Sequence, residues 1–361
     1  MKAAVCRAFG EALTIEDLEL APPQAGEVRV RIAACAICHS DLTAAAGGWG
    51  GVLPAVYGHE AAGVVEELGP GVHDLQLGDH VVVTLIRACG HCHYCNQGKL
   101  VCCEGHFHLD GHSPLSTGDG GTVTQGIATG AFAEAVVVDR SQVVAIPKDI
   151  PFDAASLLAC GVITGLGAVV NTARVPAGAS VAVIGAGGVG LNAVQGAVLS
   201  GANPIVAIDV KQEKLEAAKR FGATHGFLAA RGDLAGDIKA VTQGRGVDYA
   251  FVTVGAKPAF DSSYGLLAKG GMAVLVGMPH SGVESAFEVS GFAYDSKAIL
   301  GSRMGSARIG VDIPYLVELY RQGRLKLDEL ISGRFPLERI NEAIAEVQAG
   351  TVLRNVIVFD A

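Results

Sequence analysis

The run Val181-Ala182-Val183-Ile184 passes without a break into Gly185-Ala186-Gly187-Gly188-Val189-Gly190, and a helical pattern follows at once. Few folds accept that spacing of glycines between an apolar strand and a helix. Gly185 allows the tight turn, Gly187 lets the backbone approach a bound pyrophosphate, and Gly190 lets helix and strand pack closely, with the helix N-terminus facing the phosphates. In a chain with 49 glycines the pattern alone is weak. Its context strengthens it, because Asp209 ends the next strand 19 residues past Gly190. A carboxylate there accepts hydrogen bonds from both hydroxyls of an adenosine ribose and repels a 2′-phosphate, so NAD is expected over NADP. Lys211 weighs the other way, and a plain helix N-cap is the alternative role for Asp209.

Apolar runs at 181–184, 205–209, 249–254 and 273–276 alternate with helical stretches at 189–200, 212–221 and 258–267. Repeats of that kind predict a doubly wound parallel sheet covered on both faces. The first 150 residues differ, with short β-branched runs at 28–32, 62–65, 80–84, 135–138 and 143–146 broken by Gly and Pro, which reads as an irregular all-β region. The tail carries helical patterns at 313–321 and 337–348 and a last strand at 355–359, read as returning to the first domain. The class is α/β, and 361 residues suit two domains.

A net charge of −9 opposes broad binding of nucleic acid. No window of 18 or more uncharged apolar residues is read as a bilayer span, and Arg7 and Glu11 interrupt any signal-like start. The expectation is a cytosolic protein without a membrane partner.

Nine cysteines, an odd number, include Cys89-x2-Cys92-x2-Cys95-x7-Cys103 in a loop dense in Gly and His. Short turn-forming intervals suit four thiolates at about 2.3 Å around a tetrahedral zinc. Unrelated buried cysteines, an iron-sulfur cluster and a zinc-ribbon module are the rival readings. Cys102 and Cys103 compete for the fourth place. Such a closed site holds a loop and does no chemistry.

Cys38, His59, Glu60 and Cys160 are scattered, and each alone is more often packing than ligand. Together, two Cys and one His make a three-ligand zinc set with a fourth position open to water or substrate. Two thiolates cancel the zinc's formal charge, so the metal can polarise an alcohol oxygen without holding the product permanently.

With CGHCHYC, GHE and GAGGVG in this order, the chain resembles the zinc-dependent alcohol dehydrogenases of the medium-chain dehydrogenase/reductase superfamily, over essentially its whole length. The resemblance implies a GroES-like β-rich catalytic domain, 1–160 with 304–361, and an inserted Rossmann NAD-binding domain, 161–303. It implies two zincs per chain: a catalytic one on Cys38, His59 and Cys160, with Glu60 as a transient or outer partner, and a structural one on Cys89, Cys92, Cys95 and Cys103, with Cys102 a bystander. Ser40 matches the hydroxyl that takes the substrate proton, and Asp41 the carboxylate that orients His59. His39 and Arg354 match contacts to the cofactor pyrophosphate, Lys214 one near the adenosine ribose, and Thr164 one beside the nicotinamide. Members of the longer-chain branch, which the segment 104–130 resembles, are commonly homodimers.

This sequence also departs from the pattern. Thr43 stands where the best-known liver-type members carry the last His of their proton relay. The loop 44–51 has no acid, unlike the glutathione-dependent formaldehyde dehydrogenases, and Trp49, the only tryptophan, would make an apolar pocket wall or a core residue. The implied reaction is reversible NAD-linked oxidation of a primary, apolar or aromatic alcohol to its aldehyde. The rivals are an S-(hydroxymethyl)glutathione/formaldehyde dehydrogenase, a polyol dehydrogenase, a zinc-free quinone reductase and a non-catalytic NAD-binding protein.

Overall fold

The computed structural model describes residues 1–360. The chain divides into two compact units, Met1–Cys160 with the residues from Arg308 onward, and Gly161–Ala307. The second crossing falls after Ala307, four residues beyond the expected one. The reason is packing: the Met304–Ser306 turn lies so close to helix Ile163–Gly167 that a β-carbon on Gly167 would sit 2.6 Å from the Gly305 carbonyl oxygen.

In the first unit, strand Glu27–Ala36 is the hub of a seven-stranded sheet. It pairs antiparallel with Glu60–Leu68, with Ala135–Asp139 and with the tail strand Arg354–Val358. Ala36 lies opposite both Glu60 and Val356. The Ala36 end of the hub strand therefore gathers two distant segments beside Cys38, which caps the following helix His39–Ala45. A closed barrel of Lys2–Cys6, Thr14–Leu20, Leu115–Thr117, Thr122–Gln125 and Ala55–Val56 completes the unit. Val5, Val56, Phe132 and Val138 belong to the apolar core of this unit.

The second unit is a sheet of six parallel strands. In space they run His225–Leu228, Ile205–Asp209, Val181–Ile184, Val247–Val252, Leu267–Leu275, Ala298–Gly301. Numbered within the unit this is the order 3-2-1-4-5-6 of dinucleotide-binding sheets. All four residues of Val181–Ile184 are buried, as a strand covered on both faces requires.

Residues 152–173 form one helical run in which α-helix Phe152–Leu157, π-turn Leu158–Val162, α-helix Ile163–Gly167 and π-turn Ala168–Ala173 follow each other. The run is long and apolar enough to cross a membrane by length and composition, which corrects the expectation that no such window exists. It is a core helix, with 89% of that window buried within the fold.

Candidate active site and metal centres

Cys38, His59, Glu60 and Cys160 each offer one ligand atom, and these atoms all lie within 4.8 Å of one another in the first unit. His59 and Glu60 are fully buried, and Cys38 and Cys160 nearly so. Cys160 sits inside the π-turn Leu158–Val162, a local widening common at functional positions. His59 Nδ1 lies 2.8 Å from Asp41 Oδ1, and Asp41 also accepts from Gly58 N at 3.0 Å and from Cys38 N at 3.1 Å. One carboxylate thus ties the backbone of Cys38 to the imidazole of His59 and to the backbone of Gly58 just before it, and turns the remaining ring nitrogen of His59 into the cluster.

That nitrogen, Nε2, is buried without a hydrogen-bond partner, and so is Glu60 Oε1. Glu60 Oε2 is in direct contact with Arg354 Nη2, itself buried. The hydrogen bond from Cys160 and the His59 imidazole hold the Cys38 thiol well below its ordinary range, while the same pairing and burial push Cys160 well above it. Burial alone would lower the His59 imidazolium, but Asp41 outweighs it and holds it well above the usual value. Burial raises Glu60 to about 8 against the pull of Arg354. An anionic sulfur, a second thiol and an unpartnered imidazole nitrogen at one buried point make a donor set that a divalent cation with soft-to-borderline preferences fits.

The second cluster comprises Cys89, Cys92, Cys95 and Cys103, again within 4.8 Å of one another. Cys92 Sγ and Cys103 Sγ are 3.9 Å apart, close to the roughly 3.8 Å edge of a tetrahedron with 2.3 Å metal–sulfur bonds. Backbone N–H groups point at the sulfurs: Cys92 N at Cys89 Sγ, Cys95 N at Cys92 Sγ, and Cys89 N and Gly105 N at Cys103 Sγ, all between 3.2 and 3.4 Å. Such donation from Cys95 and Glu104 brings Cys92 down to about 6, and burial takes Cys95 up to about 12. Cys102 is exposed and stands outside the cluster.

In the second unit the glycines divide by role. Gly185 has φ +98, and a β-carbon on Gly190 would lie 1.7 Å from the Gly185 carbonyl oxygen. Both are demanded by the chain itself. Gly187, the N-cap of helix Gly188–Leu199, has φ −82 and would meet nothing within 4 Å. Neither a close contact nor a positive φ demands a glycine there. Asp209 does not cap the next helix, whose N-cap is Lys211. Its Oδ2 accepts from Ala186 N at 2.7 Å and its Oδ1 from Lys211 N at 3.0 Å, so it ties the glycine turn to the neighbouring strand. Lys214 is buried, and burial lowers its pKa.

The remaining residues singled out in the sequence are placed as follows. Ser40 is half-buried and His39 exposed on helix His39–Ala45. The Thr43 hydroxyl donates to the His39 carbonyl at 3.0 Å, back into its own helix. Thr164 is buried, and its hydroxyl donates to Met304 Sδ at 3.6 Å. Trp49 is half-buried against the first unit's core. Sequence reasoning missed the pairing of Arg354 with Glu60, and it missed Arg87, whose guanidinium reaches four separate acceptors.

A doubly wound dinucleotide-binding sheet joined to a β-rich unit with two metal-ready thiolate clusters defines the class of metal-dependent nicotinamide dehydrogenases. Comparison with known proteins agrees. Residues 24–148 match the alcohol dehydrogenase GroES-like domain and residues 188–321 the zinc-binding dehydrogenase family. The chain is 36% identical to the NDMA-dependent alcohol dehydrogenase of Amycolatopsis methanolica, covering 100% of this chain and 99% of that one. It is 37% identical to a probable S-(hydroxymethyl)glutathione dehydrogenase of Schizosaccharomyces pombe, over 99% and 96% of the two chains. The solved benzyl alcohol dehydrogenase of Acinetobacter calcoaceticus superposes with a TM-score of 0.94 at 33% identity, over 99% of each chain. This chain belongs to the zinc-dependent alcohol dehydrogenases of the medium-chain dehydrogenase/reductase superfamily. It is an oxidoreductase acting on small-molecule alcohols, with zinc and NAD, the cofactors typical of that family.

Proposed function

We propose that the chain catalyses the reversible NAD-linked oxidation of primary alcohols with apolar or aromatic substituents to aldehydes, at the buried cluster of Cys38, His59 and Cys160. The observation that carries this reading is the convergence of these side chains with Glu60 around a His59 Nε2 that has no other partner. Zinc bound there supplies Lewis acidity, polarising an alcohol oxygen and making its proton easier to remove. Asp41 holds the His59 ring in the tautomer that leaves Nε2 free to ligate. Ser40, two residues past Cys38, is the acceptor of the substrate proton. With the Thr43 hydroxyl turned back to His39, onward transfer to solvent falls to water or another group. Glu60, whose Oε1 is buried without a hydrogen-bond partner, is an exchangeable oxygen donor beside the three ligands.

The turn Gly185–Gly190 takes the cofactor pyrophosphate, with Gly188 and Val189 opening the helix that faces it, and Asp209 and Lys214 flank the adenosine ribose. His39, Arg354 and Thr164 complete the contacts, Thr164 beside the nicotinamide. Cys89, Cys92, Cys95 and Cys103 hold a second, structural zinc. The acid-free loop 44–51 with Trp49 favours apolar alcohols over a glutathione adduct. None of the nine cysteines is in a disulfide, which supports a reducing, cytosolic compartment. The edge strand Ala298–Gly301, with Val289, Tyr294 and Ile299 exposed near it in sequence, supports a homodimer, to be tested by sedimentation.

The experiment is zinc analysis with a substrate panel. About two zincs per chain are expected, with turnover of benzylic and aliphatic primary alcohols exceeding that of polyols and of S-(hydroxymethyl)glutathione. Activity confined to the glutathione adduct, or near-normal kcat in His59→Ala, would overturn the reading.

A further inference from the structure

We infer that Arg87 is a positioning residue: it holds a left-handed turn at 127–128 that pins the backbone carrying His59, and so joins the four-cysteine loop to the reacting centre. The inference rests on His59 being a metal ligand, as proposed above. Arg87 lies two residues before Cys89, and only 8% of its side chain is exposed. Its guanidinium donates to Gln142 Oε1 at 2.7 Å, to Asp110 Oδ1 at 2.7 Å, and through Nη2 to both Gln125 Oε1 and the Ala128 carbonyl at 3.0 Å. The Phe107 ring lies 6.0 Å beneath it. Phe107 and Asp110 follow Cys103, so one cation braces the chain on both sides of the four-cysteine loop and the turn at Ala128.

That turn needs holding. Ile127 and Ala128 have φ of 47 and 56, a conformation that β-branched residues almost never adopt and that glycine adopts freely. The Ala128 carbonyl is gripped twice, by Arg87 and by the fully buried Gln142, whose Nε2 donates to it at 2.9 Å and to the Thr84 carbonyl at 2.7 Å. Immediately after the turn, Ala131 N donates to the Gly58 carbonyl and Phe132 N to the Tyr57 carbonyl, both at 2.8 Å. Before it, Gly126 packs so tightly on Tyr57 that a β-carbon would lie 2.5 Å from the ring. Tyr57 and Gly58 lead directly into His59. The position of the imidazole along the chain is therefore set from Asp41 on one side and from the Arg87-held turn on the other.

The test uses the full-length holoprotein, its zinc counted by mass spectrometry and its release into a chromogenic chelator followed with time. His59→Ala identifies the phase belonging to the Cys38, His59 and Cys160 cluster, because that phase disappears. Arg87→Met is expected to speed this phase at least about threefold, less than the roughly 10–100-fold commanded by groups that bond a metal ligand directly. Adding Ala128→Gly to Arg87→Met should restore at least half of the loss, since glycine needs no brace to stay left-handed. A general loosening of the fold would not be relieved by that second change. An unchanged phase in Arg87→Met, or acceleration that Ala128→Gly leaves untouched, overturns the inference. If Arg87→Met does not accumulate, Arg87→Lys serves: a point charge cannot replace a planar fork with four acceptors, so release as slow as in the unmodified protein overturns it equally. An unmodified protein with no His59-dependent phase sinks the metal reading itself, and this inference with it.

Discussion

His59 Nδ1 and Asp41 Oδ1 are 2.8 Å apart, and neither side chain is more than 2% exposed. Asp41 receives three donors in all, the others being the backbone N–H groups of Cys38 and Gly58. Asn at this position keeps the shape but replaces one acceptor oxygen with an NH2 group that faces donors. Asp41→Asn should lower kcat/KM and zinc affinity together, by about 10–100-fold. It should also reduce stability by about 1–3 kcal/mol through the unpaired buried donor. Steady-state kinetics with metal competition, and urea unfolding, check the two halves separately.

The glycine turn separates a ligand's demands from the fold's. Gly190→Ala would place a β-carbon 1.7 Å from a carbonyl oxygen and should destabilise by about 1–3 kcal/mol or more. Gly187→Ala meets nothing within 4 Å and no unfavourable φ. It should leave thermal unfolding unchanged and weaken NAD binding by about tenfold, 1.4 kcal/mol. Calorimetric titration with NAD measures this, and equal NAD affinity in Gly187→Ala would remove the pyrophosphate from that face of the turn.

Much of this was legible in the chain. Val181–Ile184 is uninterrupted and apolar because both faces of its sheet are covered, and the helix after it is announced by glycines. The four-cysteine cluster follows from residue type and spacing, since thiolate chemistry is carried by few side chains, whereas Cys38, His59, Glu60 and Cys160 are scattered along the chain and only the family resemblance groups them. What stayed hidden depends on distance along the chain or on backbone shape. Glu60 and Arg354 are 294 residues apart, and only the pairing of strand Glu27–Ala36 with both of their strands brings them together. The barrel strands are short, one of them the two residues Ala55–Val56, too brief for alternation to show. Gly, Ser and Thr interrupt the uncharged window within 152–173 and blur its apolar character, yet it packs as core. Arg87 belongs to no sequence motif, and its role depends on four acceptors brought together from residues 110, 125–128 and 142.

The two adjacent cysteines at the end of the four-cysteine loop should behave oppositely. Cys103 Sγ accepts from Cys89 N and Gly105 N and lies 3.9 Å from Cys92 Sγ, whereas Cys102 is exposed. Cys103→Ser should cost one zinc per chain and more than about 2 kcal/mol of stability. Cys102→Ser should cost neither. Zinc content and thermal midpoints decide, and loss of metal in Cys102→Ser alone would exchange the two assignments.

A pH effect is expected at the alkaline end, from a residue outside both clusters. The Tyr320 hydroxyl donates to Asp328 Oδ2 at 2.9 Å and also faces Oδ1 at 3.1 Å. Burial, reinforced by the Asp328 carboxylate, raises it from 10.0 to about 12. The folded state therefore keeps this proton at pH values where the unfolded chain has released it. The resulting stabilisation is fully present below about pH 10, the unfolded value, and is lost as the pH rises through about 12. Urea midpoints should fall across that window, and in Tyr320→Phe, which removes the titrating hydroxyl, they should fall less steeply. Midpoints of the two proteins that decline in parallel would show that the Tyr320 proton is not held by the fold.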